Sequence, residues 1–148
     1  MSRALIIDDE APLTALIGRF LENGGFRVEA ANSGAEGLQK AVTTRPDLIV
    51  VDIMMPDIDG YEVCRRLRAD PRTARAAILV LTARTQPIDK QMALRAGADM
   101  HLVKPFGGKA LVEAAQELLA AKASGAHPLG YQVAVLRLRA GVGATMLA

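Results

Sequence analysis

Short apolar runs, each stopping at a polar residue, recur along this chain with helix-spaced segments between them. Ala4-Leu5-Ile6-Ile7 ends at Asp8-Asp9, Leu48-Ile49-Val50-Val51 at Asp52, Ile78-Leu79-Val80-Leu81 at Thr82, and Met100 to Val103 at Lys104-Pro105. Val28 to Ala31 is a weaker run of the same kind. Continuous apolar runs of this length read as strands covered on both faces. Leu13, Leu16, Ile17, Phe20 and Leu21 follow helical spacing, with Pro12 near the start and Gly24-Gly25 past the end. Ser33 and Glu36 are spaced for a capping box, and Leu38, Ala41 and Val42 form the inner face of the helix that follows. Further helices are expected over Tyr61 to Ala69, Pro87 to Ala96 and Leu111 to Ala121. Pro56-Asp57-Ile58-Asp59-Gly60 reads as loop. The pattern is five βα units, which implies a parallel sheet with helices on both sides and right-handed crossovers.

The length of 148 residues suits one domain, and such a chain can bury a core without disulfides. With three Phe, two Tyr and no Trp, that core must be aliphatic. Lys and Arg exceed Asp and Glu by two, and the segment after Ala123, which has Arg137 and Arg139 and no acid, supplies the whole excess. A balanced body does not give the clustered basic face of a nucleic-acid binder. Cys64 is the only cysteine, so an internal disulfide or a cysteine metal cluster is excluded. No signal peptide and no stretch of ~18 apolar residues is visible, so a cytoplasmic, non-membrane protein is expected.

In doubly wound sheets, ligands sit outside the carboxyl ends of the strands. Those ends carry Asp8-Asp9, Asp52, Thr82 and Lys104, far apart in sequence and expected to meet in the fold. Three carboxylates in one pocket repel, so a cation must join them or one must take up a proton. An all-oxygen set suits Mg²⁺, with Mn²⁺ as a substitute. Lys104 and Thr82 would complete a phosphoryl-transfer site, with Asp52 as a carboxylate nucleophile. Any one of these alone reads more simply as a helix cap or loop residue; the combination, each on its own strand end, carries the reading.

Asp8-Asp9-Glu10, Val51-Asp52-Ile53-Met54-Met55-Pro56-Asp57-Ile58-Asp59-Gly60, Leu81-Thr82-Ala83, Gly97-Ala98-Asp99 and Lys104-Pro105-Phe106 together resemble the receiver domain of bacterial two-component response regulators. The resemblance spans about residues 3 to 122. It implies a five-stranded, flavodoxin-like sheet of order 2-1-3-4-5, and a signalling switch rather than an enzyme. Asp52 would be the phosphoacceptor, served by a histidine kinase or histidine phosphotransfer protein. Asp9, Asp52 and the Met54 backbone carbonyl would bind Mg²⁺ directly, and Asp8 through a water. Lys104 would pair with the phosphoryl group, Thr82 would be the switch hydroxyl, and the Lys104–Pro105 bond would be cis. Met54 and Arg84 would flank the path of the attacking water and set the phosphoryl lifetime. A downstream protein target, or a second copy of the chain, would meet the face formed by the fourth helix, fifth strand and fifth helix. His101 stands where the family usually has Tyr or Phe, which leaves its place in the switch open between an inward-turning, pH-sensitive imidazole and a plain exposed strand residue.

Residues 1–123 are therefore expected to form the receiver unit, and 124–148 a linker and short tail. Two other classes stand against this one. A Mg²⁺-dependent phosphatase with an Asp nucleophile typically needs an acid where Met54 stands. A nucleic-acid adaptor would have to use Arg137 and Arg139. Cys64 reads as a packed hydrophobe, His127 as a loop residue without partner ligands, and Arg65, Arg66 and Arg68 as a solvated helix face.

Overall fold

A computed structural model describes residues 1–83 and 85–123. Arg84 and residues 124–148, with the expected linker, tail and His127, lie outside the described residues.

Strands and helices alternate as the periodicities imply: β1 (Arg3–Ile7), α1 (Ala11–Asn23), β2 (Arg27–Ala31), α2 (Gly34–Thr44), β3 (Leu48–Asp52), α3 (Gly60–Ala69), β4 (Ala77–Thr82), α4 (Pro87–Arg95), β5 (Met100–Val103) and α5 (Gly108–Ala123). The five strands are parallel in the order β2-β1-β3-β4-β5. This is the doubly wound sheet expected. The reversal of strand order lies between β1 and β3, the place where this topology opens a crevice at the strand ends.

Two aliphatic cores hold the helices to the sheet. Leu5, Ile7, Ile49, Val51, Ile78 and Val80 pack on one face against α2, α3 and α4, and Cys64 and Leu67 belong to this core. Ile6, Leu48, Val50, Leu79 and Leu81 pack on the other face with Ile17 and Leu21 of α1 and Leu111 and Leu118 of α5. Every residue of β3 and β4 is buried, which explains why these runs lack alternation.

Local signals set most boundaries. Pro lies in the first turn of α1 and of α4. Gly97, at φ +111, turns the chain out of α4. The α2 cap differs from the expected box in one respect: Ser33 Oγ accepts from Glu36 N at 3.1 Å, but Glu36 Oε1 accepts from Asn32 N at 2.9 Å, one residue before the cap. Helix α5 starts three residues before the expected Leu111, at Gly108, where a Cβ would collide with the Phe20 ring. Leu16 is exposed at the edge of the α1 stripe, although its spacing placed it on the inner face.

The solvated reading of the arginine run holds for only two of its members. Arg65 and Arg66 are exposed and both pair with Glu62 at 3.0 Å. Arg68, one turn on, points back under the sheet. Its Nη2 lies 2.7 Å from Asp99 Oδ2, and it donates to the carbonyls of Ala74, Ala76 and Gly97. Asp99 is 1% exposed, and Lys122 Nζ is 3.4 Å from the same oxygen. A charge buried this deeply requires such partners.

Candidate functional site

The register aligns the strand ends. Ile7 pairs with both Ala31 and Val51, so Asp8 and Asp52 leave the sheet at adjacent positions. Asp52 in turn pairs with Leu81, next to Thr82, and Thr82 pairs with Val103, next to Lys104. The fold thus gathers all the strand-end residues singled out in the sequence along one edge.

Ligand oxygens of Asp8, Asp9 and Asp52 lie within 4.8 Å of one another. Asp8 and Asp52 are buried, and Asp9 is exposed. Asp8 Oδ1 accepts from Glu10 N at 3.0 Å and so shapes the β1–α1 turn. Its Oδ2 is buried with no hydrogen-bond partner among the described residues. Burial pushes the Asp8 pKa up to about 6; the Glu10 N–H works against this, and the Asp52 charge adds to it. An orphaned buried oxygen beside two more carboxylates fits the oxygen chemistry of a hard divalent ion.

Lys104 Nζ is 2.7 Å from Asp52 Oδ1. Burial works against its ammonium, but the hydrogen bond to Asp52 and the charges of Asp52, Asp8 and Glu10 outweigh that, so its pKa lies above the usual value. The Lys104–Pro105 bond is cis, and Lys104 N donates to the Thr82 carbonyl at 2.7 Å. Thr82 is 1% exposed.

The loop after β3 is tied down at three places. Ile53 N donates to the Leu81 carbonyl at 3.2 Å and Gly60 N to the Ile53 carbonyl at 2.9 Å. Gly60 allows this approach, since a Cβ there would run into the Asp52 carbonyl and the Ile53 backbone. Asp59 caps α3 by accepting from Glu62 N at 3.0 Å. Asp57 reaches across to α2 and accepts from Gly34 N at 3.1 Å and Ala35 N at 3.0 Å. The sequence reading gave Asp57 no role, because the amides it caps come 22 and 23 residues earlier. Met54 is 62% exposed between these anchors.

His101 is not the plainly exposed strand residue that was one of its two readings. It is half-buried beside Val80, and its Nε2 is enclosed without a partner among the described residues. Burial lowers its pKa, the nearby Lys90 charge lowers it further, and Asp89 opposes both. The Cys64 thiol is fully buried, which pushes its pKa up to about 12 and leaves it an inert packing group, as expected.

Residues 4–116 match the family model of the response regulator receiver domain. The DNA-binding dual master transcriptional regulator RpaA of Synechocystis sp. is 43% identical over 119 residues, which are 80% of this chain and 49% of that protein. The alkaline phosphatase synthesis transcriptional regulatory protein PhoP of Bacillus subtilis is 43% identical over 104 residues, 70% of this chain and 42% of that protein. The chain spans about half the length of the curated relatives it matches. Among solved structures, the chemotaxis response regulator CheY4 of Vibrio cholerae superposes with a TM-score of 0.76 at 34% identity, covering 80% of this chain and 98% of that one. A CheY-like receiver domain protein from Methanospirillum hungatei gives 0.79 at 27% identity, covering 84% and 98%. No helix among the described residues is long and apolar enough to cross a membrane.

Proposed function

The chain belongs to the response regulator receiver family, and from that premise we propose that Asp52 is the phosphoacceptor of a two-component signalling switch. The observation that carries this is the pairing of Asp52 with Lys104 at 2.7 Å beside the Asp8–Asp9 carboxylates. An Asp52 carboxylate oxygen attacks the phosphorus of a phosphohistidine on a histidine kinase or phosphotransfer protein. The P–O bond forms as the P–N bond breaks, and the imidazole nitrogen leaves with the electron pair. Lys104 exchanges its carboxylate partner for a phosphoryl oxygen, and the Thr82 hydroxyl donates to another.

Asp9, Asp52 and the Met54 carbonyl would hold Mg²⁺ or Mn²⁺, with Asp8 acting through a coordinated water. When bound, the ion neutralises the crowded carboxylates and the charge that develops on the phosphoryl oxygens. The domain assists its own phosphorylation and dephosphorylation but turns over no separate metabolite. Met54 and Arg84, each two residues along the chain from Asp52 and Thr82, set the lifetime of the aspartyl phosphate.

Thr82 moving toward the phosphoryl group opens space beside β5, and His101 follows it inward. The α4/β5/α5 face then changes its population of two states and meets a protein target or a second copy of the chain. Residues 1–123 act as the receiver unit, working in the cytoplasm, with 124–148 as linker and tail. The charge balance of that unit argues against direct nucleic-acid contact by it.

Intact-mass analysis after incubation with acetyl phosphate and Mg²⁺ tests the central claim. Wild type gains one phosphoryl group, and neither Asp52→Asn nor a Mg²⁺-depleted sample does. A gain in Asp52→Asn refutes the assignment. Following the same mass over time reads the decay, which a Met54→Ala/Arg84→Ala variant alters.

A further inference from the structure

Helix α2 leaves four amides without helical partners at its start. Ser33 Oγ satisfies one of them by accepting from Glu36 N, while the Ser33 carbonyl takes the first helical bond, from Gly37 N at 2.9 Å. Two more, Gly34 N and Ala35 N, donate to the two carboxylate oxygens of Asp57. The α2 end also abuts the loop sterically, since a Cβ on Gly34 would lie 3.0 Å from Ile58 Cβ and 3.3 Å from the Ile58 carbonyl oxygen. The Ala35 and Gly34 amides hold the Asp57 carboxyl below the usual range, so it is ionised at neutral pH and charge strengthens the clamp.

The clamp lies three residues beyond Met54. Ile53 fixes the near side of this span through Leu81 and Gly60, and Asp57 fixes the far side through α2. The exposed Met54 stands between them, and its backbone carbonyl has the right chemistry for a hard cation.

We propose that Asp57 is a positioning residue for the metal site: by gripping the amino end of α2 it sets the Met54 carbonyl, so Mg²⁺ affinity depends on a side chain that does not touch the ion. This rests on the metal-dependent reading above. It also makes α2 a support of the site.

The test is the Mg²⁺ dissociation constant measured by calorimetry on the full chain. Ser33→Ala serves as the control, since it removes the other cap from the same helix. Asp57→Ala weakens Mg²⁺ about tenfold, in the range seen for residues that orient metal ligands. Ser33→Ala, at a comparable loss of thermal stability, leaves the affinity within about twofold of wild type, because the loop stays clamped. Asp57→Asn, which keeps one acceptor oxygen, falls between wild type and Asp57→Ala. Equal weakening in Asp57→Ala and Ser33→Ala would reduce Asp57 to an ordinary helix cap and overturn the proposal, as would wild-type affinity in Asp57→Ala. If Asp57→Ala does not fold, wild-type affinity in Asp57→Asn overturns it. A wild-type chain that binds no Mg²⁺ instead removes the underlying metal-dependent reading.

Discussion

Asp8 bears the largest electrostatic cost of the site. It is buried, one oxygen lacks a partner, and its pKa stands at about 6, against 3.8 for an ordinary aspartate. The folded state therefore holds this proton more tightly than the unfolded chain. In metal-free protein the group favours folding as pH falls from about 6 toward 3.8, and opposes it above that window. Asp8→Asn removes the cost at neutral pH. We predict that it raises the metal-free thermal midpoint by about 3 °C, the shift expected for roughly 1 kcal/mol in a domain of this size, while weakening Mg²⁺ binding. Circular-dichroism melts with and without chelator check both halves, and a lowered metal-free midpoint counts against the account. Asp70 behaves oppositely: the Arg72 fork holds it at about 2, so its contribution is present at neutral pH and is lost as pH falls from 3.8 toward 2.

At the scale of elements, β5 and α4 carry the unusual feature. His101 puts a polar, titratable ring on β5, and its Nε2 is enclosed without a partner among the described residues. The charged neighbours Lys90 and Asp89 both belong to α4. Burial and Lys90 favour the neutral ring, so lowering pH below the usual histidine range favours movement outward to water. If the ring transmits the Thr82 movement, His101→Ala shows smaller α4 amide shifts than wild type when beryllofluoride and Mg²⁺ are added. Identical shifts in the two proteins, read by NMR, would remove His101 from the switch. Periodicity placed β5 and α4 correctly, but it could not orient His101. A single residue on a short, partly exposed strand shows no face of its own until α4 packs over it.

Across the whole molecule, the Arg68–Asp99–Lys122 cluster joins α3, the turn before β5, and the last turn of α5 at the end of the sheet away from the Asp8–Asp9–Asp52 cluster. Arg68→Leu leaves Asp99 buried with less compensation. A loss of about 3 kcal/mol is expected by chemical denaturation, because breaking a buried pair from one side strands the other charge. Arg65→Ala, three residues away but on the solvated side of the same helix, costs no more than about 0.5 kcal/mol. Equal losses in the two variants would return the arginine run to the solvated face that its sequence suggested.

The βα alternation, the aliphatic core and the set of strand-end groups are legible along the chain, because each rests on short-range periodicity and on residue type at the point where a strand stops. Asp52, Asp8, Asp9, Thr82 and Lys104 stand out as candidates on the same ground. Folding added that Asp57 caps α2, that Arg68 turns inward to Asp99 across 31 residues, and that Asp8 carries a raised pKa. The physical reason is common to all three. Burial and partner geometry depend on which distant segments pack together, and a local pattern records the side chain but not the field it will meet.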